Sequence, residues 1–328
     1  MKIAGNQVEA GSKRYLRLQA EDSHAGFSVD VPLHVIRGAS DGPTLVVQAG
    51  LSGLEIEPAM TLPSVVDEID ASKLRGTLIV VPLFNTTGFE FEQINAAWDD
   101  RDLHAIGRGD PNGTVSEALV AAYYDQVVAS ADALIDVRTG AQWGYFRYAG
   151  VYEGGATDAS VDMAVALGLP HVLIGEPSVD GIAAQAAQDG KRVVAAWIGG
   201  GPGLRDNRVE DTMRVRRAVM NALQHLGMLD GVAMPADTAS VSVLQAHTVL
   251  RPNGPRGFVF VDKHKRGKAL AAGETLGIVR HPFTGEVLTE LKADRPGVMV
   301  HAGASWPVVL EGAVLAILGD EVKSVTQS

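Results

Sequence analysis

Two short segments of the chain place polar side chains directly after apolar, β-branched runs. Residues 50–58 (GLSGLEIEP) contain Ser52 between two glycines and Glu55 two residues after the second, and residues 136–140 (DVRTG) contain Arg138. A serine hydroxyl attacks a carbonyl when a base is in reach, a carboxylate transfers protons, and a guanidinium binds a carboxylate or an oxyanion. These residue types indicate acid–base chemistry on a small polar molecule.

Structural roles are open for the same residues. Glu55 and Glu57 would enter the first turn of a helix, where a carboxylate complements the helix dipole by about 0.3 to 1 kcal/mol. Asp136 and Arg138 are two residues apart and could form an ion pair that only stabilises the fold. The sequence leaves both interpretations standing.

A serine needs a base within hydrogen-bonding reach, and no base lies beside Ser52 in the sequence. His104 is the candidate for this role. The alternative is a loop histidine that bonds only to backbone. The remaining eight histidines occur singly, without the His-x-x-x-His spacing that binds metal on one helix face. Cysteine is absent, which excludes disulfides and thiolate metal sites and suits a reducing compartment.

Aromatic residues are few but concentrated in residues 143–148 (WGYFRY), and Trp197 stands at the end of a predicted strand. Trp143, Tyr145 and Trp197 could form a wall for a planar or apolar ligand. The alternative is a group of rings that only fills the core.

Short apolar runs alternate with helical patterns between residues 44 and 226, which predicts an α/β fold with a mostly parallel sheet covered by helices on both faces. Strands are predicted at 44–50, 76–82, 133–137, 171–174 and 192–197, and helices at 58–74, 116–130, 159–167, 181–188 and 208–226. Ligands of such sheets bind beyond the carboxyl ends of the strands. The loops expected there are 50–58, 84–112, 138–155, 175–181 and 198–207.

The pattern changes after Leu229, where short β segments are separated by glycine turns. We therefore expect an α/β domain at residues 1–230, opened by a β hairpin within residues 1–40. A small all-β domain is expected at residues 231–328, with its linker at 230–240.

The net charge of −11, from 28 basic and 39 acidic residues, opposes binding to nucleic acid. The densest basic run, residues 263–268 (KHKRGK), is interpreted as a solvated loop. The glycines of residues 199–203 lack the spacing of a phosphate-binding loop. No stretch approaches the roughly 18 apolar residues of a membrane span or the core of a signal peptide, so a cytoplasmic protein without a membrane partner is expected.

The order of these segments resembles the succinylglutamate desuccinylase/aspartoacylase family of zinc-dependent deacylases, which have a carboxypeptidase-like fold and a small β domain of barrel-sandwich type. The family's Gly-x-His-Gly-x-Glu is similar to residues 50–55, and its Asp-Leu-His-Thr-Gly to residues 136–140. Its Asn-Pro-x-Gly-Phe and Asp-Gly-x-Asp-Leu-Asn-Arg segments are similar to residues 85–89 and 99–105. The glycine run at 199–203, the helix end at 222–229 and the turn at 272–277 also match.

The resemblance implies a zinc site that this chain has lost. Of the zinc ligands only Glu55 remains, because Ser52 and Arg138 stand where the family has histidines. Trp197 stands at the position of the general-base glutamate, and His104-Ala105 replaces the Asn-Arg pair that binds the substrate carboxylate. A guanidinium has no lone pair for zinc. Zinc binding is therefore expected to fail, and no cofactor is predicted.

Three functions remain open. The first is a metal-independent amide hydrolase, ring-opening enzyme or lyase acting on a small carboxylate-bearing, N-acyl amino acid-like substrate. Its catalytic candidates are Ser52, Glu55, His104 and Arg138, and its substrate-binding candidates are Arg101, Arg138, Trp143, Tyr145 and Trp197. The second is an inactive binding or regulatory protein in which an Arg138–Glu55 ion pair closes the pocket. The third is a zinc-dependent deacylase with unfamiliar ligands; a homo-oligomer is possible in each case.

Overall fold

The computed structural model describes residues 2–22, 26, 28–141, 144–177, 181–200, 208–251, 254–303 and 314–327. Trp143 lies outside the described residues. Within them, no helix is both long and apolar enough to cross a membrane.

The strands are numbered in chain order. They are β1 (Lys2–Ile3), β2 (Asn6–Gln7), β3 (Ser12–Asp22), β4 (Ser28–Arg37), β5 (Ser40–Ala49), β6 (Arg75–Val81), β7 (Ala133–Arg138), β8 (Phe146–Val151), β9 (His171–Ile174), β10 (Arg192–Gly199), β11 (Ser240–Leu250), β12 (Phe258–Val261), β13 (Ala269–Leu270), β14 (Thr275–Arg280), β15 (Val287–Lys292), β16 (Gly297–Ala302) and β17 (Ala316–Thr326).

The α-helices are α1 (Ile56–Glu68), α2 (Thr86–Glu90), α3 (Val115–Gln126), α4 (Thr157–Ala166), α5 (Ile182–Gln188) and α6 (Val209–His225), and 3₁₀ turns cover Leu103–Ala105, Val128–Ser130 and Lys263–Lys265. Each helix predicted from the sequence is present. The boundaries reflect local signals, such as the capping box that Thr114 and Glu117 form at the start of α3.

A twelve-stranded sheet runs through the molecule in the order β13-β16-β17-β11-β9-β8-β10-β7-β5-β6-β4-β3. Strands β6, β5, β7 and β10 are parallel to one another, and β8, β9 and β11 are parallel to one another, but β8 is antiparallel to β10. The α/β class is confirmed, but the sheet is mixed rather than mostly parallel.

The reversal comes from β8, which lies inside a segment predicted to be a loop. Phe146 and Tyr148 are buried while Arg147 between them is exposed, which is the period-two pattern of a strand. The short alternation was interpreted as a cluster of aromatic residues, so the strand was missed. As a consequence, β9 ends at the opposite edge of the sheet from β5, β7 and β10.

Apolar cores cover both faces of the sheet. One face packs against α1, α4 and α6, and the other, to which the edge strands β3 and β4 also contribute side chains, packs against α3 and α5. Helices therefore lie on both faces, as the sequence predicts. The carboxyl ends of β5, β6, β7 and β10 remain as the edge where polar side chains can meet.

The C-terminal strands form a small β domain with its own apolar cluster, and β12, β14 and β15 make a separate three-stranded sheet. Strand β11 pairs in parallel with β9 and antiparallel with β17, so the large sheet continues into this domain. This continuity brings strand β16 close to the residues of β8.

Candidate functional site

One row of side chains crosses three neighbouring strands of the sheet, at the edge where β7 and β10 end. Arg138 on β7 is the register partner of Trp197 on β10, and Trp197 is the partner of Tyr148 on β8. The guanidinium carbon of Arg138 lies 5.4 Å from the centroid of the indole, and the Tyr148 ring stacks on the indole at 5.9 Å. Because Trp197 is flanked from both neighbouring strands, it offers a ligand its edge and not an open face.

Arg138 is only 2% exposed, and its Nε donates to Oδ2 of Asp136 at 2.5 Å. The other oxygen of Asp136 accepts from Gln48 at 3.1 Å, and Gln48 accepts from the Tyr123 hydroxyl at 3.0 Å. Burial by itself lowers the pKa of Arg138, but the negative charges around it, first that of Asp136, hold its pKa above the ordinary value. The guanidinium therefore stays charged.

A second carboxylate, that of Glu176 in the loop after β9, lies near Arg138. Its negative charge acts on Arg138, and its Oε2 lies where a side chain at Gly150 would stand, 2.1 Å from an ideal Cβ. Gly150 on β8 is thus required for this close approach. Sequence reasoning missed Glu176, although a glycine inside an apolar strand is a signal of close packing by another group.

Glu55 is 3% exposed, and both its oxygens are engaged. Oε1 accepts from the backbone N–H of Thr139 at 3.1 Å, and Oε2 accepts from that of Ser52 at 3.2 Å. Nε2 of His104 lies 3.3 Å from the same Oε2. The carboxylate therefore joins the loops that follow β5 and β7 to the 3₁₀ turn that carries His104.

The charge of Glu55 also decides the state of His104. Burial lowers the pKa of His104 and Arg138 opposes its protonation, but attraction to Glu55 and the hydrogen bond between them raise the pKa above its ordinary value. Nδ1 of the same ring is buried and has no hydrogen-bond partner among the described residues. The pair is a carboxylate-oriented imidazole with one free nitrogen.

Ser52 is buried, and its hydroxyl oxygen accepts from the backbone N–H of Leu54 at 3.2 Å. The turn is tight because Gly53 packs on the backbone of Gly88, where a Cβ would lie 2.1 Å from the carbonyl carbon. The Ser52 oxygen thus helps to shape the turn that presents Glu55.

The ion pair between Arg138 and Glu55, considered from the sequence, is not formed. In the part of the chain that the structure describes, Glu55 has His104 as its ionic partner, and Arg138 is bonded to Asp136. Asp136 and Arg138 are two residues apart on one strand and so point to the same face. Their proximity is a direct result of strand geometry.

Two further predicted substrate-binding residues have other contacts. Arg101 is half exposed and pairs with Glu117 at 2.7 Å. The Tyr145 hydroxyl donates to Asp211 at 2.8 Å and accepts from Arg214 at 2.9 Å, which ties it to α6. Their substrate contacts stay predictions.

His301, which the sequence analysis did not single out, reaches the site region from β16 of the small domain. Its ring stacks on Phe146 with centroids 4.2 Å apart, and Nδ1 lies 3.4 Å from the Tyr148 hydroxyl. Burial lowers the pKa of His301 to about 3, and the charge of Arg266 adds to this effect. The rings of Phe146, Tyr148, Trp197 and His301 fill the space between one another, so they form a packed core.

Comparison with known proteins gives the ancestry of this arrangement. Residues 41–226, more than half of the chain, match the family model described as the succinylglutamate desuccinylase/aspartoacylase catalytic domain. The chain belongs to this family. The resemblance stated from the motifs is therefore confirmed.

Individual relatives of the family are distant in sequence. An N-alpha-acetyl-L-2,4-diaminobutyric acid deacetylase from Halomonas elongata is 24% identical over 322 residues, covering 93% of this chain and 90% of the relative. A succinylglutamate desuccinylase/aspartoacylase from Rhodobacter sphaeroides superposes with a TM-score of 0.83 at 20% identity, covering 98% of this chain and 100% of the other. The product-bound ectoine utilization protein EutE (DoeB) from Ruegeria pomeroyi gives 0.80 at 22% identity, covering 96% and 97%.

The residues at the family's metal position do not fit zinc. Arg138 places a fixed positive charge without a lone pair where the family has a histidine, and both oxygens of Glu55 already accept backbone N–H groups. Within the described ranges, no group of three or more histidine, aspartate or glutamate side chains is arranged to hold a metal ion. The guanidinium of Arg138 and the imidazole of His104, whose pKa is raised above its ordinary value by Glu55, occupy this region.

Proposed function

We propose that this family member hydrolyses the amide bond of a small, carboxylate-bearing N-acyl amino acid without a zinc ion at the family's metal position. The observation that carries the proposal is the buried His104–Glu55 pair, in which Nε2 faces the carboxylate at 3.3 Å and Nδ1 has no partner among the residues that the structure describes. A histidine oriented in this way by a carboxylate can accept and return a proton.

In the proposed reaction, His104 in its neutral form takes a proton from water at Nδ1 while the water oxygen attacks the amide carbonyl carbon. Glu55 stabilises the imidazolium that forms. The proton then passes to the amide nitrogen as the C–N bond breaks, which leaves a carboxylic acid and an amine. The buried Nε1–H of Trp197, which has no acceptor among the described residues, and the charge of Arg138 suit the negative oxygen that develops.

The substrate class is supported by two features. The guanidinium of Arg138 and the Nε1–H of Trp197 favour a ligand with several acceptor oxygens, as carboxylates and acyl groups have. The relative from Halomonas elongata carries the name of a deacetylase of an N-acetylated amino acid. Amide hydrolysis is therefore preferred over ring opening or a lyase reaction.

A binding or regulatory role without catalysis is the second candidate, because part of the site is already occupied by its own residues. Asp136 holds Arg138, and the Ser52 oxygen accepts a backbone N–H. In that case a carboxylate ligand would bind to the purified protein, but no amine would be released.

The experiment measures amine release from a panel of N-acetyl and N-succinyl amino acids, N-acetyl-2,4-diaminobutyrate included, by protein treated with a chelator. His104→Gln should lower kcat by at least 100-fold, because the base is lost. His264→Gln, a change at an exposed histidine, is the matched control and should leave turnover unchanged. Turnover that survives His104→Gln would contradict the mechanism, and ligand binding without turnover would select the second candidate.

Metal independence has its own test. Elemental analysis of the wild-type protein should find no stoichiometric zinc, whereas the Ser52→His/Arg138→His double variant, which restores the family's ligand types beside Glu55, should bind zinc. The Ser52→His single variant is the control, since it keeps the guanidinium. One zinc per wild-type chain, removed together with activity by a chelator, would support the zinc-dependent alternative.

A further inference from the structure

A cationic cluster lies where β8 meets the small β domain. It consists of Arg147 on β8, Lys263 in the 3₁₀ turn Lys263–Lys265, and Arg266 directly after that turn. Nη1 of Arg266 donates to the backbone carbonyl of Tyr145, and its guanidinium carbon lies 5.5 Å from the centroid of the Phe146 ring. We call these three residues the junction cluster.

Arg147 and Arg266 both contact Tyr145, since the guanidinium carbon of Arg147 lies 5.8 Å from the centroid of the Tyr145 ring and Arg266 donates to the Tyr145 carbonyl. Their charges are therefore close enough to repel one another. Burial and then the charge of Arg147 lower the pKa of Arg266, and burial and then the charge of Arg266 lower the pKa of Lys263. Such proximity between cations raises the free energy of the protein unless an anion compensates for it.

No carboxylate of the described residues forms an ion pair with Arg147, Lys263 or Arg266. The contrast with neighbouring cations is clear, because Lys265 pairs with Glu274 at 2.7 Å and Arg214 pairs with Asp211 at 2.6 Å. With 39 acidic against 28 basic residues, the chain has ample carboxylates for such pairing. Among the residues that the structure describes, the cluster is therefore uncompensated, at a point where two parts of the fold meet.

Buried nitrogen atoms without a hydrogen-bond partner among the described residues lie at the junction cluster. Nε of Arg266 is buried and has no acceptor in the described parts of the chain. His171, whose pKa is lowered by burial and by the charge of Arg147, borders the cluster, and its Nε2 lies 3.3 Å from where a Cβ of Gly267 would stand. The negative charge of Glu321 acts on this histidine in the opposite direction and raises its pKa.

We propose that the junction cluster binds a small oxyanion carrying two or more negative charges, held by the guanidinium groups of Arg147 and Arg266 and by the ammonium group of Lys263. Guanidinium groups present paired N–H donors that match the oxygens of phosphate and carboxylate groups. The net charge of −11 disfavours a long polyanion, so the ligand is a compact molecule. The site is separate from the His104–Glu55 pair and goes beyond the proposed hydrolysis.

Phosphate-type and polycarboxylate ligands share this chemistry, and the experiment separates them. Isothermal titration calorimetry of the full chain at low salt uses pyrophosphate in one arm and citrate in the other. Arg147→Gln and Arg266→Gln should each weaken binding of the preferred probe at least 10-fold. Lys323→Gln, which removes one charge from an exposed position of β17 in the same domain, should change the affinity less than 2-fold.

The outcomes are decisive in both directions. A loss of affinity restricted to the two arginine variants confirms the site. The probe that binds more tightly identifies the ligand class. No binding of either probe, or equal weakening by Lys323→Gln, overturns the proposal, because the second result would mean that only the overall charge matters. If Arg266→Gln fails to fold, the exposed Arg147→Gln decides alone, with circular dichroism confirming its fold.

Discussion

The buried Arg138 and the junction cluster carry the same kind of charge in opposite environments. Arg138 is 2% exposed and bonded to Asp136, with the charge of Glu176 acting on it as well. Arg147 and Arg266 lie partly in solvent and have no ionic partner among the described residues. A charge removed from water requires an opposite charge nearby, whereas a charge that keeps contact with water can be held ready for a ligand.

Under the proposed function, a side chain supplies positive charge at the position where the family motif has a histidine. The partner of this side chain, Asp136, lies two residues away on the same strand. Because the guanidinium is held by its own chain, it cannot dissociate as an ion does. We therefore infer that Arg138 stabilises the fold in addition to any role toward a ligand.

The largest predicted effect is on Arg138 itself. Arg138→Met leaves the carboxylates of Asp136 and Glu176 buried without their cation, which should reduce the free energy of unfolding by about 3 to 5 kcal/mol. Urea denaturation followed by circular dichroism measures this. A loss below about 1 kcal/mol would mean that the carboxylates take up protons or water easily, and the contrast with the junction cluster would fail.

His301 connects the two regions and predicts an acid-dependent loss of stability. The pKa of His301 in the folded protein is about 3, below the ordinary 6.5, so the unfolded chain takes up its proton first as the pH falls. The contribution is fully present above pH 6.5 and decreases by about 1.4 kcal/mol per pH unit below it, or about 2 kcal/mol by pH 5.

Denaturation between pH 7 and 5 tests this expectation. His301→Phe keeps a ring against Phe146 and should flatten the dependence on pH, and Arg266→Gln should reduce it in part by removing a repelling charge. An unchanged dependence in His301→Phe would show that other groups cause the loss.

The smallest predicted effect concerns Arg147. Its removal by Arg147→Gln relieves repulsion within the junction cluster, so stability at low salt should rise by a few tenths of a kcal/mol, within the usual range of surface substitutions. The gain should disappear at high salt because exposed charges are screened. A clear loss of stability, measured by thermal denaturation at both salt concentrations, would mean that Arg147 has a structural partner.

The alternation of apolar runs and helical patterns was enough to predict the helices, most central strands and the edge of the sheet where Ser52, Glu55 and Arg138 lie. The departures from the family motifs at Ser52 and Arg138 were also visible in the sequence. What could not be predicted was the direction of β8, because its six residues, Phe146–Val151, combine a weak alternation with an aromatic composition that also suits a core segment.

The sequence alone therefore determined the class of fold and the family, and it predicts the loss of the histidine ligands, since each depends on residue types at short spacing. The tertiary structure decided which charges meet: Glu55 with His104, Arg138 with Asp136 and Glu176, and Arg147 with Arg266. Apart from the Asp136–Arg138 pair, these contacts join residues far apart in the chain. They depend on the order and direction of the strands, which local patterns do not encode.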